Sequence, residues 1–239
     1  MRLSAPIHRL KRAARDHARA SAMPLHTALD HVAAGEGYAS WSLLAARQTE
    51  AASDPATLMR SLAPGEMILI AARPLQGKTM FALQIAVTAI ADGHEAHFFS
   101  LDYTPRDVAE RLARLPEGIA QHATKLNVDC SDAISAGYVI EKLAAAPRGT
   151  VTAVDYLQLL DQKRTNPPLE QQIRALAEFA KARGVTMAFV CQVDRSFDAT
   201  AALLPDLADI RLPNPLDLSL FDRAVFLHGG RYSTLDARN

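Results

Sequence analysis

Several common function classes are excluded by what this sequence lacks. It has two cysteines, Cys130 and Cys191, far apart and without CxxC or Cys/His ligand spacing. Neither a disulfide framework nor a zinc site is indicated, and a reducing cytoplasm suits such thiols. It has no excess of either charge, since 26 Lys and Arg balance 26 Asp and Glu. Whole-molecule electrostatics therefore say nothing about partners, and any phosphate-binding surface must be a local patch. It has no long apolar run: the longest, from Phe81 to Ala91, is broken by Gln84 and falls short of the roughly 20 residues that span hydrocarbon, so no membrane partner is expected. Its eight histidines are scattered, and His94 and His97, which flank a predicted strand, lack a third metal ligand.

What is present reads as an ordinary globular chain. Hydrophobic residues at 49% and charged residues at 22% of 239 positions provide enough apolar surface for one sizeable α/β core and a small appendage. The first 20 residues are Arg-rich and acid-poor, as in an organellar transit peptide, but no apolar signal core follows. We read a basic helix there, with Ile7, Leu10, Ala14 and Ala18 at helical spacing and Arg9, Lys11, Arg12, Arg15 and Arg19 elsewhere. Leu25, Leu29 and Val32 share one face of a second helix, and a third begins near Trp41. Together these form a small helical cap over residues 1–47, in which Tyr38 and Trp41 are expected to pack the interior. A polar stretch, 48–64, with a short helical run at 57–62, is the expected linker to a larger domain at 65–239.

From Gly65 onward strands alternate with helices, the pattern of a mostly parallel sheet with crossover helices. Strands are predicted near 67–72, 96–101, 150–155, 185–191 and 223–228, and helices near 78–91, 105–115, 135–146 and 168–183. Right-handed crossovers bring the carboxyl ends of the strands to one edge, where ligands bind in such sheets.

The decisive segment is the strand Met67–Ala72, the loop Arg73-Pro74-Leu75-Gln76-Gly77, and the helix start Lys78-Thr79. Successive backbone N–H groups of such a loop, reinforced by a helix N-terminus, surround phosphate. Lys78 is placed to reach the β- and γ-phosphates, and the Thr79 hydroxyl to ligate Mg²⁺. Ala72 replaces the usual first glycine, so the Walker A pattern is incomplete. A second strand, Thr152-Ala153-Val154, ends in Asp155, the expected carboxylate behind the magnesium.

The order Ala71-Ala72-Arg73-Pro74, Gly77-Lys78-Thr79, Phe98-Phe99-Ser100-Leu101-Asp102 and Val154-Asp155-Tyr156-Leu157-Gln158-Leu159-Leu160 resembles the motor domain of the DnaB replicative helicases. The likeness continues through Cys191-Gln192-Val193-Asp194-Arg195-Ser196 and Asp209-Ile210-Arg211, over roughly residues 60–228. It implies a RecA-like P-loop NTPase core, ATP and Mg²⁺ as cofactors, and ATP hydrolysis coupled to single-stranded DNA in a homo-oligomeric ring or with a replication-type protein partner. It makes Asp102 the acid that activates water, Gln192 the sensor of the γ-phosphate, and Lys163, Arg164 and Arg195 the cations of DNA-facing loops, where Phe197 is the one nearby aromatic.

The departures from the family pattern matter as much. The family has glutamate where Asp102 stands, and a carboxylate misplaced by about 1 Å can lose roughly 100-fold in rate. For the finger that reaches into a neighbouring subunit's site the chain offers Gly229-Gly230-Arg231-Tyr232; Arg231 is either that finger or a hairpin arginine. A collar domain would precede the motor, and only the cap stands there, so an autonomous replicative helicase is not expected. A second reading is accordingly a weakly hydrolysing, nucleotide-dependent adaptor or regulator. A third is a small-molecule kinase, with Arg106 to Arg114 as its only lid segment. The basic first helix is open to docking on DNA or on a partner.

Overall fold

The structure is a computed structural model and describes residues 7–21, 23–44, 54–160, 163, 165–199, 202–212 and 214–237. The chain divides into two compact units, Met1–Ala52 and Ser53–Asn239.

In the first unit, α1 (Ile7–Ala20) packs against α2 (Leu25–Gly35), and residues 41–44 are helical. Leu10, Ala33 and Leu44 are buried together, with Val32, Tyr38 and Trp41 packed against them. The two aromatic residues thus lie against the unit's own interior. The Trp41 N–H donates to Asp30 Oδ1 at 2.8 Å, which fixes the entry of the third helical segment against α2.

In the second unit, α3 (Pro55–Ser61) falls inside the stretch read as a linker. It is capped by the Asp54 side chain, which accepts from the Thr57 N–H, and it buries Leu58 and Met59. There follow β1 (Met67–Ala72), α4 (Lys78–Ala91), β2 (Ala96–Ser100), α5 (Pro105–Leu112), α6 (Glu117–Ala120), β3 (Asn127–Asp129), α7 (Ala136–Lys142), β4 (Val151–Asp155), α8 (Leu169–Arg183), β5 (Thr186–Gln192), β6 (Arg223–His228) and β7 (Arg231–Asp236). Among the described residues these strands form one seven-stranded sheet in the order β3-β2-β4-β5-β1-β6-β7. All pairings are parallel except β6 with β7.

Alternation along the central strand sorts its side chains onto two faces. Met67, Leu69 and Ala71 join a core with residues of α7 and α8, including Val139, Ile173 and Leu176. Ile68, Ile70 and Ala72 join a second core with α3, α4 and Val108 of α5. A strand buried on both faces reads as a continuous apolar run, as β1 does. Each large side chain buried there contributes about 1.5–3 kcal/mol, which pins the strand ends and the loops that leave them. Helix α4 is buried from Phe81 to Ile90 apart from Gln84, and an apolar surface on all sides is what a helix enclosed by its neighbours requires.

The helices expected at 105–115 and 135–146 end earlier, at Leu112 and Lys142. Pro116 and Pro147 follow closely, and the residues ahead of a proline are turned away from helical geometry. Two strands had no counterpart in the expectation, β3 and β7, and both are edges of the sheet.

Candidate functional site

The loop between β1 and α4 begins at the buried carboxyl end of the central strand and ends where Gly77, at φ +86°, caps α4. Leu75 also has positive φ, +65°, and its side chain is fully exposed. A bulky residue in this region is costly by about 1–3 kcal/mol and persists where the surroundings over-determine it. Two left-handed residues separated by Gln76 curl the backbone into the kind of concavity whose N–H groups converge on an anion. The first α4 hydrogen bond, from the Phe81 N–H to the Gly77 carbonyl at 2.9 Å, leaves the N–H groups of Lys78 and Thr79 at the helix opening.

Directly below, the Thr79 hydroxyl donates to Asp155 Oδ2 at 2.7 Å. Thr79 and Asp155 are both buried, and they come from the two elements the sequence paired for a metal. Burial pushes the Asp155 carboxyl up to about 6; the Thr79 hydroxyl bond, Lys78 and Arg111 oppose that rise, and Asp102 adds to it. The group is still mostly ionised at neutral pH. Asp102 stands at the neighbouring strand end, exposed. Its N–H and that of Tyr103 point at the Ser100 hydroxyl, at 3.3 and 3.0 Å, so its backbone is fixed while its carboxylate is free to meet solvent.

Three contacts tie the loop to its surroundings. Arg73 does not turn its guanidinium outward: Nε and Nη2 hold the Asp198 carboxylate at 2.9 and 2.8 Å, and Nη1 donates to the Val193 carbonyl at 3.2 Å. This bond, first of all, keeps the Asp198 carboxyl below its ordinary range. Gln76 Oε1 accepts from the Gly229 N–H at 2.7 Å, in the turn between β6 and β7. The Val193 N–H donates to the Ala72 carbonyl at 3.0 Å. The position that usually carries glycine is thus a buried alanine, whose carbonyl holds the segment after β5.

That segment closes an open cavity of about 370 Å³ lined by Arg73, Gln192, Val193, Asp194, Arg195 and Arg211. Gln192 accepts the Arg211 N–H on its own carbonyl at 2.8 Å, and the Arg211 carbonyl accepts from Gln158 Nε2 at 2.8 Å. One buried amide, Gln158, therefore links the chain just beyond Asp155 to the wall of the Gln192 cavity.

With this geometry in place the comparisons with known proteins are informative. Residues 53–148 match the model of the DnaB-like helicase C-terminal domain. Among curated relatives, the replicative DNA helicase DnaB of Leifsonia xyli subsp. xyli is 29% identical over 72% of this chain and 44% of its own length. A probable plasmid replicative DNA helicase of Chlamydia psittaci is 24% identical over 74% of this chain and 45% of its own. The solved structure of a DnaB-like replicative helicase studied for its interactions with primase superposes with TM-score 0.56 at 24% identity, covering 68% of this chain and 48% of that one. The second unit is thus similar to the DnaB-like helicase C-terminal domain in sequence and shares the fold of these structures. A further solved ATPase domain superposes with TM-score 0.53 at 23% identity, covering 69% of each chain, in keeping with the RecA-like fold. The chain spans less than half the length of the two curated relatives.

Within this DnaB-like frame the remaining sequence-predicted residues fall unevenly. Lys163 and Arg195 are exposed, and Arg195 lines the cavity beside Gln192. Arg164 lies outside the described residues. Phe197, the aromatic nearest the second loop, is 2% exposed and meets the His228 ring edge-on at 5.1 Å; it packs the interior and is no platform for a base. Arg231 is exposed at the first position of β7, directly after the Gly229–Gly230 turn. The segment with the kinase-lid arginines forms the ordinary crossover helix α5, where Arg106 pairs with Glu110. Arg111 there stacks on the Tyr103 ring at 3.8 Å.

Three participants escaped the sequence reading. Asp198 gave no signal, because its role depends on an arginine 125 positions away. Arg211 stood in a motif of the family resemblance, yet no role was attached to it. Arg111 was read only as part of a lid, although Asp155 feels its charge. Among the described residues no three His, Cys, Asp or Glu side chains cluster as metal ligands, and no helix is long and apolar enough to cross a membrane.

Proposed function

We propose that the second unit binds ATP with Mg²⁺, hydrolyses it, and couples the nucleotide state to single-stranded DNA. The observation that carries this is the Thr79 hydroxyl on Asp155 Oδ2 at 2.7 Å beneath the curled phosphate loop. One hydroxyl and one carboxylate fit a magnesium ion, which keeps most of its shell as water and phosphate oxygen and needs no all-protein cage. Held by Thr79 and Asp155, Mg²⁺ would supply neutralisation of the phosphate charge. The N–H groups of Gly77, Lys78 and Thr79 orient the phosphates, Arg73, Leu75 and Gln76 shape the loop around them, with the Gln76 N–H closing it on the Arg73 carbonyl at 3.3 Å, Pro74 stiffens it, and Lys78 balances the charge on the γ-phosphate. Asp102 holds the attacking water and receives its proton. Gln192 reads the γ-phosphate and passes its presence through Arg211 and the segment carrying Arg195. Arg195, with Lys163 and Arg164, meets the DNA backbone.

A homo-oligomeric ring would let Arg231 reach a neighbouring copy's site, and a replication-type partner is the other setting for such a unit. The domain division we favour is a helical cap ahead of this ATPase unit. The test is direct: a fluorescent ATP analogue should bind only with Mg²⁺, and Lys78→Ala should weaken it by at least about 100-fold, on the scale of a lost charge-assisted contact set. Binding of equal strength by Lys78→Ala would remove the proposal.

A second reading has its own observation. Asp102 is exposed and one methylene shorter than the family's glutamate, so binding with scant turnover would make the chain a nucleotide-dependent adaptor.

A further inference from the structure

The function proposed above leaves the first unit without a task, although its sequence carries an excess of cations. Met1–Ala52 holds seven Lys and Arg against four Asp and Glu, so the remainder of this neutral molecule is net acidic. The excess concentrates on α1. Leu10 and Ala14 of this helix are buried, while Lys11, Arg12, Arg15 and Arg19 are all exposed. At 3.6 residues per turn these four cations fall within an arc of about 100° and extend along about 12 Å of helix. None forms an ion pair with another described residue. The helix has one acid of its own, Asp16, at the edge of the arc.

Unpaired like charges on one helix face repel each other and cost helix stability at each i,i+4 step. Lys11, Arg15 and Arg19 follow that spacing. An anionic partner removes the penalty, and the chemistry of the face narrows which one. A lipid surface needs apolar side chains to sink below the headgroups, and the apolar side of α1 at Leu10 and Ala14 is already enclosed in the cap's core with Ala33 and Leu44. A protein partner would be expected to meet an aromatic or aliphatic anchor, and among the described side chains this arc offers only charged heads. Three of the four cations are arginine, whose planar fork matches phosphate oxygens two at a time. Single-stranded nucleic acid is gripped by stacking its bases on aromatic rings, and the phenol and indole rings of this unit among the described residues, Tyr38 and Trp41, lie off α1 and are half-buried against its interior. A rigid helix with a row of cations and no stacking ring suits the regular backbone of a duplex, whose major groove admits an α-helix.

We propose that the exposed face of α1 is a duplex-DNA docking surface, gripping backbone phosphates through Lys11, Arg12, Arg15 and Arg19 independently of the nucleotide site. It would act without base readout, as a tether that keeps the second unit near double-stranded DNA.

The test uses the full chain, free of nucleotide and with EDTA, titrated onto a fluorescein-labelled duplex at several salt concentrations and read by anisotropy. Changing all four residues to glutamine should weaken duplex binding by tenfold or more at low salt. It should also flatten the plot of log affinity against log salt by about 3–4, the slope belonging to four phosphate contacts. Changing the three arginines to lysine should retain most of the slope, with helicity by circular dichroism unchanged in both variants. A glutamine variant that binds the duplex within twofold of the parent, or with the same salt slope, would overturn the proposal. So would a loss seen only with a single strand of equal length, or only with phosphatidylserine vesicles. Lys78→Ala separates this inference from the proposed function: if that variant binds nucleotide unchanged while the glutamine variant loses the duplex, the ATPase reading fails and the docking surface stands.

Discussion

Two neighbouring strand ends carry one acid each, and they are treated oppositely. At the end of β4, Asp155 is 1% exposed and accepts the Thr79 hydroxyl; at the end of β2, Asp102 is exposed and only its backbone is held. The first is built to place a ligand, at the cost of burying a charge. The second, in the proposed function, would hold the attacking water with one methylene less reach than a glutamate. On the proposed function, the binding half and the hydrolytic half of such a site are separable: the side chains proposed for the metal are bonded to each other, and the one proposed for the water is held only through its backbone.

The contrast breaks most visibly through the buried acid. In metal-free protein its folded carboxyl titrates near 6 against an ordinary 3.8. Well below its ordinary 3.8 it is protonated whether folded or unfolded, and its contribution is fully present. As pH rises through 6 the unfolded chain ionises first, and stability falls by about 3 kcal/mol. Asp155→Asn should abolish that loss, so urea midpoints of parent and variant in EDTA should diverge between pH 4 and 7.5, with the variant the more stable at the upper end. The variant should also lose its magnesium response. Parallel pH curves would mean that the carboxylate is not desolvated as the structure has it.

The exposed acid sharpens the comparison from the other side. Restoring the missing methylene with Asp102→Glu should raise steady-state turnover by up to about 100-fold while the affinity for a non-hydrolysable analogue changes little. An unchanged or lower rate would indicate that reach is not what limits this strand end, and would weaken both readings of the site.

A smaller effect is expected from the contact that ties the loop to the segment after β5. Asp198 is half-exposed, and exposed pairs contribute only about 0–1 kcal/mol to stability, so Asp198→Ala should unfold nothing. It should instead reduce the stimulation of hydrolysis by single-stranded DNA several-fold, and weaken the effect of DNA on nucleotide affinity and of nucleotide on DNA affinity by one common factor, since linkage between binding steps is reciprocal. Stimulation of parental size would leave the Arg73–Asp198 bridge a local brace.

How far all this was legible in the sequence follows from burial. The five strands seen in the sequence are the five central ones, each an apolar run because both faces are covered; the two missed are the flanks. Asn127-Val128-Asp129 has no run to detect, and Arg231–Asp236 pairs on one side only and is largely half-buried. The placement of Gly77, Lys78 and Thr79 was readable because a strand, a tight turn and a helix start come in a fixed order, and that of Asp155 because it closes a separate apolar run. The partnership of Arg73 with Asp198 was not, since hydrogen bonds across 125 positions leave no local spacing. Nor could sequence tell that Phe197 would turn inward, because a lone aromatic in a loop is equally compatible with a core or a surface.

The stunted flank of the sheet has a further bearing on how the molecule behaves in a crowd. With no net charge at neutral pH, copies lack the mutual repulsion that ordinarily keeps proteins dispersed. Open sheet borders are where neighbouring chains would zip together. A border only three residues long, closed by an aspartate, offers such a neighbour almost no rungs to climb.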